Sequence, residues 1–95
     1  MAKYKLTNEA KNDLIRIHHY GVKKFGMTQA DKYFESFFEY FDIIAECPFS
    51  FESVDYIKKG YRRCVCGVDS IYHKVNENIV EIVTMVGRQD LNEKL

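Results

Sequence analysis

The 95-residue sequence contains no tryptophan, one proline and five glycines, and its charges cancel. The scarcity of proline and glycine leaves no low-complexity tract and no flexible linker between domains. A chain of this length can enclose one hydrophobic core, so the sequence predicts a single domain over residues 1–95. Because such a domain lies near the small end of independent stability, a partner that buries more of its surface would stabilise it.

The sequence also has no excess of charge of one sign, since 14 basic residues face 14 acidic ones. This balance excludes the broad positive field of nonspecific nucleic-acid binding, and we expect no direct sequence-specific contact with nucleic acid. No apolar run approaches the roughly 20 residues of a membrane span, and the N-terminal residues are polar. The sequence therefore predicts neither export nor membrane anchoring.

The three cysteines are Cys47, Cys64 and Cys66. An odd number of cysteines without a signal peptide indicates a reducing, cytoplasmic setting. A bond between Cys64 and Cys66, two apart on one predicted strand, would be strained. No histidine lies at metal-ligand spacing from them, so we interpret them as buried free thiols and expect no metal site.

Two amphipathic helices are predicted in the first half of the chain. Thr7 or Asn8 can cap the first helix, and its apolar positions recur at steps of three and four: Ala10, Leu14, Ile17, Gly21 and Phe25. Gly26 breaks the pattern, and Thr28 with Asp31 resembles a capping box that opens the second helix. That helix has an aromatic core stripe and ends at Pro48, which predicts an antiparallel helical hairpin.

The second half changes to a period of two. Residues 4–7 form a short predicted strand, and residues 60–66, 69–75 and 79–86 predict three more, joined by short turns. Gly67 and Val68 fit a two-residue turn, and residues 76–78 fit a three-residue loop. This register places Arg62 opposite His73 and His73 opposite Glu81.

In this register, one sheet face lies under the helices, with Cys64, Ile71, Val75, Ile79, Val83 and Met85. The opposite face is too apolar to remain in water, with Tyr61, Arg63, Val65, Tyr72, Val80, Ile82, Thr84 and Val86. Two interpretations remain open: residues 49–59 or the C-terminus cover this face, or a partner does.

The order of strand, helical hairpin, loop and three-stranded meander predicts an α+β domain. Over its whole length the sequence resembles the ParE toxins of the RelE/ParE superfamily. The N-terminal half of the resemblance is carried by Tyr4, Lys5, Leu6, Thr7, Ala10, Asp13, Leu14, Ile15, Tyr20, Phe25, Gly26, Gln29, Ala30 and Tyr33. The second half is carried by Pro48, Asp55, Ile57, Gly60, Tyr61, Arg62, Arg63, Gly67, Ile71, Tyr72, Glu81, Ile82, Val83, Arg88, Gln89 and Asp90.

This resemblance implies an N-terminal strand and an antiparallel two-helix hairpin packed on a mostly antiparallel four-stranded sheet. It also implies a toxin of a type II toxin–antitoxin system that inhibits DNA gyrase by trapping cleaved DNA, uses no cofactor and is neutralised by a ParD-like antitoxin. The chain departs from the family's usual residues at Cys64, Asp69 and Gly87.

The related RelE toxins share the fold and cut mRNA on ribosomes, so the fold alone does not decide between the activities. RNA cleavage requires a base, an acid and cations gathered around one phosphate. Gly87 removes an imidazole after the last strand, which favours a gyrase inhibitor over an enzyme. A non-toxic, antitoxin-binding relative is the third possibility.

His73 lies between Arg62 and Glu81 in the predicted register. It could act as a catalytic base, or the three side chains could hydrogen-bond one another in a row across the strands, and we favour the second interpretation. Arg63 is either a partner contact or a solvated strand residue. Arg88 is the candidate gyrase contact. We expect the antitoxin to bind the second sheet face at Tyr61, Arg63, Tyr72, Lys74, Val80 and Ile82.

Overall fold

The computed structural model describes residues 3–87. Eight elements follow one another: β1 (Tyr4–Leu6), α1 (Asn8–Phe25), α2 (Met27–Glu46), a 3-10 helix (Pro48–Ser50), β2 (Glu52–Ser53), β3 (Arg62–Cys66), β4 (Asp69–Asn76) and β5 (Ile79–Gly87). The strands form one sheet in the order β1-β5-β4-β3-β2. β1 runs parallel to β5 and the other neighbours are antiparallel.

The predicted α+β class and mostly antiparallel sheet are confirmed, but the sheet has five strands instead of four. The additional strand, β2, is a two-residue segment within the predicted loop at residues 49–59, paired with Arg62 and Arg63 of β3. Two residues are too few to show a period of two in a sequence. Within residues 3–87, neither helix is long and apolar enough to cross a membrane.

The helical hairpin is confirmed, with Gly26 alone between the helices at φ +91°. Thr7 caps α1 by accepting a hydrogen bond from the Ala10 amide. The predicted capping box at Thr28 is wrong, because α2 already begins at Met27 and Gly26 provides no side-chain cap. In the aromatic stripe of α2, Phe37 and Phe41 are buried as predicted and Phe34 is partly buried, whereas Phe25 at the end of α1 is 63% exposed.

The turn between β3 and β4 has the predicted register, with Arg62 opposite His73. The register between β4 and β5 was predicted wrongly. Asn76 pairs with Ile79, so the loop has two residues, Glu77 and Asn78, both at positive φ. A two-residue loop is a common hairpin turn. Because it is one residue shorter than the predicted loop, the side chains that follow it on β5 lie on the face opposite to the predicted one.

A β-bulge then shifts the pairing a second time. His73 pairs with Ile82 while Tyr72 pairs with Thr84, so Val83 has no partner across the strand. An extra residue on one strand of an antiparallel pair bends that strand and changes the facing of the residues beyond it. Met85 therefore lies on the helix face as predicted, although Ile71 pairs with it and not with Val83.

These shifts correct two predicted partner-binding residues. Val80 and Ile82, at 3% and 0% exposed, belong to the core under the helices together with Leu14, Phe37, Phe41 and Ile71. Val83, predicted for the helix face, packs instead on the opposite face. There Val54 and Ile57 pack on Tyr61, Tyr72 and Val86, so of the two open interpretations the structure supports the one in which residues 49–59 cover this part of the face.

Side chains from the first helix and its N-cap residue complete the hydrogen bonding of β5 beyond the end of β1. The last β1–β5 pair is Leu6 with Ile82. After it, the Thr7 hydroxyl donates to the Val83 carbonyl at 2.7 Å, and the buried Asp13 carboxylate accepts from the Thr84 hydroxyl and the Met85 amide. Arg16 donates to the Met85 carbonyl at 3.3 Å. These contacts fix α1 against the bulged half of β5.

His73 lies fully buried on the helix side of the sheet. Its Nε2 is 3.1 Å from the Pro48 carbonyl, and its ring meets Phe51 edge to face. Nδ1 has no hydrogen-bond partner among the described residues. Burial, followed by the positive charge of Arg62, lowers the pKa of His73 from its ordinary value, against the opposing effect of the Pro48 carbonyl. The predicted row to Glu81 is wrong, because the pairing places Ile82 opposite His73.

Ile82→Asp is expected to unfold the free chain, since a carboxyl group in this core costs about 2–7 kcal/mol even when protonated. The matched control is Ile79→Asp on the same strand, where the native side chain is 40% exposed. Thermal denaturation followed by circular dichroism measures both. A folded Ile82→Asp protein with native stability would mean that this side chain does not face the helices.

The unfolding free energy is expected to fall below about pH 6.5, the ordinary histidine value. Because the folded state lowers the pKa of His73, the unfolded chain binds more protons between the two pKa values, and stability is lost as pH decreases through that interval. One proton contributes a slope of at most about 1.4 kcal/mol per pH unit. Urea titrations of wild type and His73→Gln between pH 7 and 5 test this, and equal slopes would contradict it.

Candidate partner-binding end of the sheet

Two concave surfaces meet at the turn between β3 and β4. The helix-side groove, of about 780 Å³, lies between the hairpin and the turn and is lined by Ile17, Tyr20, Phe25, Ala30, Tyr33 and Val68. The outer pocket, of about 210 Å³, lies on the opposite sheet face and is lined by Arg63, Val65, Val68, Ser70, Tyr72 and Val86. Both concavities also include Gly67, Asp69 and Gly87, so they form one end of the molecule.

The turn between these concavities is held by Tyr33 of α2. The Tyr33 hydroxyl lies 2.8 Å from both the Cys66 carbonyl and the Asp69 carboxylate. Burial and the bond to Asp69 raise the pKa of Tyr33 well above its ordinary value, so the hydroxyl stays protonated as a donor. Gly67, at φ +60°, allows this contact because a Cβ there would lie 2.7 Å from Tyr33.

The surface around the turn is unusually apolar for a water-facing region. Val68 is 82% exposed at the turn, and Tyr20 and Phe25 in the groove are 58% and 63% exposed. Large exposed apolar side chains gathered around one concavity are typical of a surface that binds a partner. The cations at the groove are partly engaged, because Arg16 contacts Asp13 and Lys24 lies over the Tyr20 ring.

The remaining predicted antitoxin-binding residues lie on the outer face, but mostly beneath other groups. Tyr61 and Tyr72 are 8% and 1% exposed under the covering loop. Arg63 makes a two-point contact with Glu52, which raises the pKa of the guanidinium further. Lys74 lies 3.8 Å from Glu81 and near the Tyr61 ring. The outer face therefore has cations paired with carboxylates at its margin and offers the small pocket instead of a broad apolar surface.

The predicted gyrase contact, Arg88, lies outside the described residues. Its neighbour Gly87 is described and forms part of both concavities.

The cysteines are free, and Cys64 and Cys66 are buried as predicted, but the predicted burial of Cys47 is wrong because its side chain is exposed. Burial raises the pKa of Cys64 to about 11, so its thiol stays protonated near neutral pH. Residues 3–87 contain no cluster of three or more histidine, cysteine or acidic side chains that could hold a metal ion.

Val68 and the exposure of Phe25 escaped the sequence analysis. Phe25 continues the apolar spacing of α1, and its position beside Gly26 at the end of the helix was the available signal that it leaves the core. An apolar residue at a turn position, where polar residues predominate, was the signal at Val68. Tyr20 entered only through the family resemblance, since it lies outside the apolar stripe of its helix.

Comparison with known proteins agrees with this architecture. The family model of the ParE toxin of the type II toxin–antitoxin system parDE matches residues 4–91. Toxin ParE1 of Caulobacter vibrioides is 31% identical over 94 residues, which cover 99% of this chain and 96% of that protein. A solved structure of the chromosomal ParDE system from P. aeruginosa superposes with a TM-score of 0.81 at 19% identity, covering 92% of this chain and 96% of that chain. The chain belongs to the ParE toxin family.

Proposed function

We propose that this ParE-type toxin inhibits DNA gyrase by trapping the cleaved-DNA complex, without catalysis of its own, and that a ParD-like antitoxin neutralises it. The observation that carries the proposal is the family match over residues 4–91 together with a relative similar along nearly the whole chain. A protein inhibitor needs a shaped surface and no reacting group, which fits the apolar end at the β3–β4 turn.

The placement of the titratable groups supports inhibition over RNA cleavage. A general base must reach the proton that it removes, at about 2.6–3.2 Å or through one water. His73 is 0% exposed and lies behind Phe51 and Pro48, so it cannot contact an RNA in this conformation. The balanced charge of the chain gives no broad positive field for a phosphate backbone.

The antitoxin is proposed to bind the same end of the molecule. The exposed apolar side chains at Tyr20, Phe25 and Val68 supply an area whose burial stabilises a complex. Arg63 and Lys74 at the margin of the outer face would contact an acidic segment by exchanging their carboxylate partners, Glu52 and Glu81, for it. Tyr61 and Tyr72 are buried and would support the outer face by packing beneath it, without direct contact with the antitoxin.

Purified protein is expected to inhibit supercoiling by gyrase and to accumulate cleaved DNA, with no metal beyond what gyrase requires. Arg88→Ala is expected to raise the concentration for half inhibition by about tenfold, as for an arginine at an interface. Lys94→Ala is the control of like charge. Intact supercoiling at a high excess of folded wild-type protein would refute gyrase as the target.

No intrinsic RNase activity is expected, and His73→Ala should reduce stability more than toxicity. The side chain is buried, so its removal leaves a cavity that costs roughly 1–3 kcal/mol. Growth assays and mRNA primer extension, compared with thermal unfolding of the same variant, separate the two effects. Codon-specific ribosomal mRNA cuts that vanish in His73→Ala would instead indicate an endonuclease, and unimpaired growth with wild type a non-toxic relative.

A further inference from the structure

One edge of the sheet is partly open. β3 pairs with β4 from Arg62 to Cys66, but its other neighbour, β2, covers only Arg62 and Arg63. Cys64, Val65 and Cys66 therefore have no strand beside them on that side among residues 3–87. Open strand edges are usually protected by lysine, proline, a bulge or a covering segment. This three-residue stretch contains none of those residues.

The backbone groups of Val65 point out of this edge. Alternate residues of a strand direct their N–H and C=O groups to opposite neighbours. Cys66 closes the two-residue turn opposite Asp69 and thus bonds towards β4, as does Cys64. Val65 has the same parity as Arg63, which pairs with Glu52 on the open side. Its amide and carbonyl consequently face outward, and the carbonyl receives only a weak 3.9 Å contact from the Cys64 thiol.

The chain itself turns away before it can fill this edge. Continuing β2 backwards would bring Ser50 opposite Val65, but Pro48–Ser50 form a 3-10 helix in which the Ser50 amide donates to the Cys47 carbonyl. Proline has no N–H to contribute to a strand pair. At the opposite edge, α1 side chains bond to β5 where β1 ends, whereas no comparable side chain serves Val65 among the described residues.

The surroundings of the open edge define the chemistry of a binding segment. Val65 and Phe49 are 60% and 67% exposed, and the outer pocket begins beside Val65. The Arg62 guanidinium donates to the Phe49 and Phe51 carbonyls and lies 5.3 Å from the Phe49 ring. None of the ion pairs among the described residues includes Arg62, so its guanidinium remains available to an acidic group of a partner.

We propose that the antitoxin adds an extended segment to the edge of β3 as a sixth strand, with an apolar residue opposite Val65 and a carboxylate near Arg62. Backbone bonds to an edge strand give affinity, and pockets for alternate side chains give specificity. The residue opposite Val65 lies on the same face and packs against it. The identity of the partner rests on the proposed function, whereas the edge geometry does not.

Val65→Pro and Val65→Thr separate backbone pairing from side-chain contact. Proline removes the outward N–H and is tolerated on edge strands, while threonine retains that N–H and the strand preference. The probe is the antitoxin, taken as the product of the neighbouring reading frame that restores growth on co-expression. Calorimetry is expected to show binding about tenfold weaker for Val65→Pro and within about threefold of wild type for Val65→Thr.

Equal affinities for the proline and threonine variants would overturn the added strand and leave the antitoxin-neutralised function intact. Hydrogen exchange of the wild-type Val65 amide gives the same answer without a substitution, because the strand should protect this amide in the complex. Antitoxin binding that leaves the amide unprotected would likewise overturn the proposal. If no neighbouring product binds wild type or restores growth, both the strand and the proposed neutralisation fail.

Discussion

The buried carboxylate of Asp13 holds together two parts of the protein that the backbone ladder alone would leave unconnected. β1 is three residues long and its pairing with β5 ends at Ile82, yet β5 continues to Gly87. Beyond that point Asp13 accepts bonds from Thr84 and the Met85 amide. A helix thus performs the hydrogen bonding of a missing strand, and unpaired backbone groups in this interior would otherwise carry a desolvation cost.

This constraint explains why the bulge in β5 is tolerated. The carbonyl of Val83, which lacks a cross-strand partner, receives the hydroxyl of Thr7. Thr7 also caps α1, so one side chain fixes both the start of the helix and its height along the strand. The position of α1, the bulge in β5 and the end of β1 therefore depend on the same contacts. These contacts also fix the last residues of β5, which lead to the partner-binding end at Gly87.

The helices and the longer strands were predictable from the sequence because each has its own hydrophobic periodicity or is bounded by glycine or proline. Gly26 and Pro48 bounded α2, and Gly67 set the register of the first turn. The second register was not predictable from local signals, since residues 76–78 are compatible with loops of two or three residues. One residue of difference in the loop decided whether Ile82 faced the core or a partner. The bulge at Val83 depends on contacts with residues 72 and 76 positions away in the sequence. The candidate partner-binding surface likewise depends partly on local sequence signals and partly on long-range contacts. The apolar outer face was predicted in part, because Tyr61, Tyr72 and Val86 lie there whereas Val80 and Ile82 do not. Its covering by Val54 and the exposure of Val68 depend on tertiary packing.

The pairing of β1 with β5 also determines when the molecule can become whole. Tyr4 of β1 lies beside Val80 of β5, so β1, the first strand to be synthesised, cannot pair until β5 has been synthesised. The helical hairpin has short-range contacts and can form early, whereas long-range strand pairing is slow and is lost when the chain is interrupted. A ribosome that stalls before β5 would release a hairpin without a sheet to pack against. Copies that end before β5 would therefore lack the strand that lies between β1 and β4, and neither edge of the sheet could be completed without it.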